Sequence, residues 1–147
     1  MSENKEITFN LRMLDIKVIQ FSQFDLIKEF DKIKFPLVEY QTDLNFRVIE
    51  VDDKITCLAN VKIKILETNE FFAELKVETN FNVSPLNLLA KLVDGKYDVN
   101  SQLLHSLGSI SLSTIRGILF EKLKGSIIQN EIYPLTDLSK VFLENKN

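Results

Sequence analysis

The sequence predicts an α+β domain: a four-stranded antiparallel sheet followed by a long C-terminal helix packed on it. Three observations carry this. Two neighbouring stretches alternate apolar and polar residues with period two. A short polar link, Glu67-Thr68-Asn69-Glu70, joins them as a hairpin. Later in the chain, Leu112, Ile115, Leu119, Leu123 and Ile127 recur at spacings of three and four, which lines one side of a helix.

The elements follow in order. In the first strand Leu14, Ile16 and Val18 hold one phase, whereas Ile19 and Phe21 hold the other. A phase slip inside a strand is the mark of a β-bulge or bend. Gln23 to Gln41 then forms a long connection containing Phe24, Leu26, Ile27, Phe30, Ile33, Phe35 and Leu37. Asp25 to Lys32 suits a short amphipathic helix there, ended by Pro36. Leu44, Phe46 and Val48 begin the second strand, and Asp52-Asp53 turns it tightly into the third. On the third strand Ile55, Cys57, Ala59, Val61, Ile63 and Ile65 face one way. On the fourth, Phe71, Ala73, Leu75, Val77, Thr79, Phe81 and Val83 do so, which leaves Phe72 on the polar face beside Leu58 and Leu66. The strands read as a meander. Pro85 to Val93 has helical spacing after a Ser-Pro start, with Asp94-Gly95 ending it. Asn100 to Leu107 reads as a further short helix, divided by Gly108 from the long one over Ser109 to Pro134.

That long helix carries Gly117 and Gly125 away from its apolar stripe, with Ser113 one turn before Gly117. Each glycine costs about 1 kcal/mol relative to Ala in a helix interior. The expectation is a face of Ser113, Gly117 and Gly125 packed closely against another subunit; the alternative is a helix broken at Gly125. Arg116 falls within the apolar stripe, so it is expected to be partly buried and paired with a carboxylate or with backbone carbonyls.

Composition bounds the function. The chain has 147 residues, enough for one domain with a sizeable core, and its 45% hydrophobic content argues against disorder. Residues 1–10 and 139–147 are expected to be flexible ends. A formal charge of −3 without a basic stripe argues against nucleic acid as a partner. No segment is expected to reach the roughly 18 apolar residues of a bilayer span. No signal-peptide core follows the polar N-terminus, so a cytoplasmic location is expected. The single cysteine, Cys57, lies on an apolar strand face and is expected to be buried. Catalytic signatures are absent: there is one histidine, His105, no Cys-X-X-Cys, no His-Glu-X-X-His and no Gly-rich phosphate loop. No enzyme activity, metal or cofactor is expected.

Order of elements, chain length and the Arg116 helix together bring a family into view. Four antiparallel strands precede a variable linker. A long helix follows, whose Ser113-Thr114-Ile115-Arg116 stands where SecB proteins carry an aromatic-Ala-Arg segment; the exit is Ile132-Tyr133-Pro134-Leu135. Over residues 11 to 138 the chain resembles the SecB family of bacterial protein-export chaperones. It departs from that family in lacking the proline of the Leu-Phe-Pro-Tyr-Ala-Arg pattern and in having a charge-mixed tail, Leu138 to Asn147, in place of a strongly acidic one. The resemblance implies a homotetramer, a dimer of dimers. It also implies an ATP-independent holdase for unfolded or precursor polypeptides, acting in protein export or protecting a dedicated client. The translocase motor SecA and a toxin–antitoxin client are the partners it brings with it.

Eleven phenylalanines and no tryptophan leave an aromatic excess without chemistry. The expected client site is the first long connection, with Phe24, Leu26, Ile27, Phe30, Phe35 and Leu37 as its apolar contacts and charges interleaved among them. The alternative function is a single-domain carrier enclosing a small apolar ligand between sheet and helix.

Overall fold

The computed structural model describes residues 8–25, 36–134 and 138. Its sheet consists of β1 (Asn10–Gln23), β2 (Val38–Ile49), β3 (Lys54–Ile65) and β4 (Glu70–Ser84). A helical turn α1 (Leu86–Leu89), a small hairpin of β5 (Ala90–Val93) and β6 (Lys96–Val99), and the helix α2 (Ser101–Lys122) follow. The large sheet is antiparallel throughout, in the order β1-β4-β3-β2. Three strands therefore form the expected meander. β1 does not pair with β2; it lies beside β4, so that β1 and β2 form the two opposite edges of the sheet.

Alternation sorts the sheet faces. Ile55, Cys57, Ala59, Val61, Ile63 and Ile65 of β3 and Ala73, Leu75, Val77, Phe81 and Val83 of β4 are all buried. Leu103, Leu107, Leu112, Ile115 and Leu119 of α2 join them in one core. At about 25 cal/mol per Å² of apolar surface removed from water, this seam is the main source of stability. The opposite, outer face is polar. Lys17 sits 3.9 Å from Glu78 and Lys76 3.6 Å from Glu74, while Thr56 donates to Asn80, which in turn donates to Asp15.

The turns follow their residues. Between β2 and β3 a single 3-10 turn, Glu50–Asp52, ends at Asp53 in the left-handed region, φ 48°. Asn69 takes the same region, φ 57°, in the β3–β4 hairpin, as Asn and Asp tolerate. β1 slips register twice against β4, at Leu14 and at Ile19. The second slip is the expected one; the first adds another.

Several expectations are corrected. Phe72 is not on the polar face: an irregularity at Ile63/Lys64 leaves it as the extra residue of β4, turning it into the core and placing Phe71 opposite Lys64 on the outer face. The Pro85–Val93 helix is one turn long, because the chain then enters the β5–β6 hairpin. There Asp94 and Gly95 sit at φ 50° and 79°, the two positive φ values that a tight hairpin turn requires. The long helix starts at Ser101, not Ser109, and runs through Gly108. The side chain of Asn100 caps it by accepting from the N–H of Leu103 at 3.1 Å. It ends at Lys122, so Gly125 lies beyond it at φ 83°, off the face that holds Ser113 and Gly117. Ile127 is consequently exposed and Ile128 takes the buried place. Finally, α2 is long and apolar enough to cross a membrane by length and composition, contrary to the expectation. Its leucine stripe is instead packed against the sheet. The proposed helix at Asp25 to Lys32 lies largely outside the described residues.

Candidate functional site

Among the surfaces of the described chain that expose apolar groups, four bear on function, and each arises from a local feature of the sequence. The first lies around the β3–β4 turn. Phe24, just past β1, donates its N–H to the Phe72 carbonyl at 2.8 Å, and Leu37, just before β2, accepts from Leu66 at 2.9 Å. These two residues are the described ends of the client site expected from sequence. Leu26, Ile27, Phe30 and Phe35 lie outside the described residues. Phe24 and Phe71 are 44% and 42% exposed and line a small pocket of about 110 Å³ with Lys62 and Glu74. The ammonium groups of Lys62 and Lys64 each stand 5.7 Å from the Phe71 ring.

The second is a groove of about 640 Å³ between β2 and the hairpin, with Phe46 and Val48 on one wall, Tyr97 and Val99 on the other, and Leu104 of α2 between them. It was not expected, because the hairpin that forms one wall reads as helix in the sequence. The turn pair Asp94-Gly95 was the signal for it.

The third surface is β1. Leu11, Met13, Ile16, Val18 and Phe21 are paired with residues of β4 whose side chains enter the core, so they belong to the helix-side face. Yet Met13, Ile16 and Val18 remain exposed, as do Leu14 and Ile19 at the bulges. Among the described residues α2 packs mainly on β3 and β4, and reaches β1 only where the Lys122 ammonium stands 5.9 Å from the Phe21 ring.

The fourth is the outer side of α2. Ser109, Ser113 and Gly117 follow at four-residue spacing and are exposed, with Phe120 one turn on. Among the described residues, and apart from its chain neighbours and the helix's own backbone, nothing lies within 4 Å of where a Gly117 Cβ would stand.

Arg116 is held as expected. Its Nε donates to the Tyr133 carbonyl at 2.8 Å and its Nη2 to the Pro134 carbonyl at 3.4 Å. Tyr133 is buried edge-on against Tyr40, with ring centroids 5.1 Å apart, and its hydroxyl shares a hydrogen bond with Thr42. Burial, reinforced by Glu131 and Tyr133, pushes the Tyr40 hydroxyl up to about 12. The segment after α2 is thereby tied to both the helix and β2.

Burial pushes the Cys57 thiol up to about 11, with the Ser111 hydroxyl working the other way; such a thiol is a poor nucleophile at neutral pH. Among the described residues no group of three or more His, Cys, Asp or Glu side chains is placed to hold a metal ion.

No protein-family model matches the chain, and no curated protein matches it by sequence. Among solved structures it is similar to the SecB-like chaperone of Mycobacterium tuberculosis, solved in complex with a ChAD peptide from the HigA1 antitoxin. The TM-score is 0.59 at 7% identity, over 86% of this chain and 90% of that one. A protein of unknown function from Streptococcus agalactiae aligns with a TM-score of 0.45 at 12% identity, over 89% and 99% of the two chains. The first likeness establishes the fold, a four-stranded antiparallel sheet with a long C-terminal helix of the SecB-like kind.

Proposed function

We propose that this chain of SecB-like fold is an ATP-independent holdase, a non-enzymatic chaperone that keeps client polypeptides unfolded. The observation that carries the reading is apolar surface left open on a chain of this fold, at the Phe24–Phe71 pocket and in the β2–hairpin groove. Exposed apolar patches rimmed by charge mark interaction sites. Extended clients need apolar contacts in a row, and adaptable ones suit many sequences. The Leu26, Ile27, Phe30 and Phe35 stretch of the first connection belongs to the same proposed site.

Assembly is part of the proposal. A fourteen-residue edge strand with exposed Ile16, Val18 and Ile19 is an aggregation hazard unless another chain covers it. We assign β1 to one contact between copies and the Ser113–Gly117 face of α2 to a second. Two self-complementary contacts generate a dimer of dimers. Gly125 is left out of the helix contact, since its positive φ already accounts for the glycine.

The client is either a set of precursor proteins, handed on to the translocase motor SecA, or a dedicated partner. The structural neighbour was solved with an antitoxin peptide, which favours a toxin–antitoxin client. A cytoplasmic setting fits both. The small-ligand carrier has less support, because side chains such as Val61, Leu75, Leu107 and Ile115 fill the space between sheet and helix.

Diluting a chemically denatured, aggregation-prone protein into buffer tests the reading. Light scattering is expected to stay low at stoichiometric amounts of this protein without nucleotide. Scattering unchanged at a several-fold excess contradicts it.

A further inference from the structure

The hairpin of β5 and β6 stands apart from the large sheet. Its strands form a sheet of their own, which faces β2 across the groove without pairing to it. Among the described residues its backbone hydrogen bonds lie within its own ladder, continued at the base where the Asn100 N–H donates to the Leu89 carbonyl at 2.7 Å. That base is fixed, because Leu86 and Leu89 before the hairpin and Leu103 after it are buried in the core. Beyond the base, Lys91 to Lys96 are all exposed. Among the described residues one polar side-chain contact joins this arm to the end of the large sheet. The Tyr97 hydroxyl donates to the carboxylate of Glu50, in the turn just after β2. Desolvation, then the charge and hydrogen bond of Glu50, raise the pKa of that hydroxyl, so it remains a donor at neutral pH.

We propose that the hairpin is a hinged flap over the groove of about 640 Å³, swinging on its base to admit an extended client segment and latched by Tyr97 and Glu50. The inference rests on the holdase reading and deepens it: a flap lets the groove retain a segment without fixing its sequence. Three features set a flap apart from a fixed wall. The base is anchored in the core while the arm beyond it is exposed. The latch is a single exposed hydrogen bond, which contributes little net stability and so opens and recloses readily. The third feature is the underside of the arm. Cross-strand partners share a face, so Ala90, Leu92, Tyr97 and Val99 lie on one side of the hairpin. Tyr97 and Val99 line the groove, and Leu92, on the same face, is 59% exposed. A segment between Phe46 and Val48 on one wall and Tyr97 and Val99 on the other would cover that apolar surface when the flap closes.

A gate changes the rates of entry and exit together, whereas a contact with the client changes chiefly the rate of exit. Stopped-flow fluorescence on the full chain measures both rates with a labelled, permanently unfolded probe, reduced and carboxymethylated α-lactalbumin. Tyr97→Phe removes the latch hydroxyl and keeps the ring in the groove wall. It is expected to raise kon and koff alike by about three- to tenfold, the range of one hydrogen bond, and to leave Kd nearly unchanged. Glu50→Gln keeps an acceptor without its charge and should do the same to a smaller degree. A change in koff alone makes Tyr97 a client contact, and unchanged rates leave the latch without effect; either result overturns the flap. A readout on the free protein separates this from the holdase reading. Nitroxide labels are placed at Asn45→Cys and Lys96→Cys, on opposite walls of the groove, with the buried Cys57 left in place. Unlabelled copies in excess restrict the measured distances to those within one copy. Tyr97→Phe should broaden the distance distribution, and the unfolded probe should narrow it. One narrow distance under all conditions refutes the flap even where the probe binds tightly. A distribution that broadens in Tyr97→Phe while the probe fails to bind supports the flap and refutes the holdase.

Discussion

Arg116 ties the segment after α2 to the helix through the Tyr133 and Pro134 carbonyls. Arg116→Leu removes the donor from the part-buried Tyr133 carbonyl, a loss of up to about 1–3 kcal/mol for a buried acceptor, while the exposed Pro134 contact adds little. Denaturant unfolding is expected to show that loss while client binding by the folded variant stays at the wild-type level; unchanged stability with lost binding would reassign Arg116 to the client surface. Phe24 belongs to the opposite case. It is 44% exposed, so Phe24→Ala should cost far less than the roughly 3–5 kcal/mol of a buried Phe→Ala. It should nevertheless weaken client affinity by about thirtyfold, the value of a 2 kcal/mol anchor. A drop of several kcal/mol in stability would place Phe24 in the core. Burial of Cys57 and pairing of Arg116 were legible in the sequence, because each follows from a residue's place in a regular period. The exchange of Phe71 and Phe72 was not, because one extra residue in a strand moves side chains to the other face and leaves no mark in composition.

At the scale of elements, the region from Pro85 to Val99 shows where local pattern and final structure part. Leu86-Asn87-Leu88-Leu89-Ala90-Lys91-Leu92 has helical spacing and good helix formers, yet only four residues are helical. Asp94-Gly95 outweighs propensity, since both residues accept positive φ and so set a two-residue hairpin turn. Gly95→Ala is therefore expected to destabilise the hairpin by about 1 kcal/mol, since an L-residue is strained at φ 79°. Amide hydrogen exchange should show the loss first at β5 and β6; unchanged protection there would mean that the turn is not what holds the hairpin. The hairpin forms one wall of the larger groove, so this missed element was also a missed part of the site. The β2–β3 and β3–β4 turns were legible because polar links separate clean alternating runs. The order β1-β4-β3-β2 was not, because nothing local to β1 states which strand it joins.

For the whole molecule, the proposed assembly sets further copies against the exposed side chains of β1 and the open face at Gly117. Sedimentation is expected to give a mass near four times the 17.0 kDa chain. Gly117→Leu should fill the open space on α2 and reduce the mass by half without loss of the sheet. Ile16→Lys with Ile19→Lys should break the other contact. If both variants run at wild-type size, neither face joins subunits. The central claim, however, is that this chain holds polypeptides unfolded, and the refolding rate of a slowly folding client measures that most directly. The account predicts that refolding is arrested at about one oligomer per client, without nucleotide, and that the client is released when a competing unfolded chain is added. A refolding rate unchanged by a tenfold excess of the protein would contradict it.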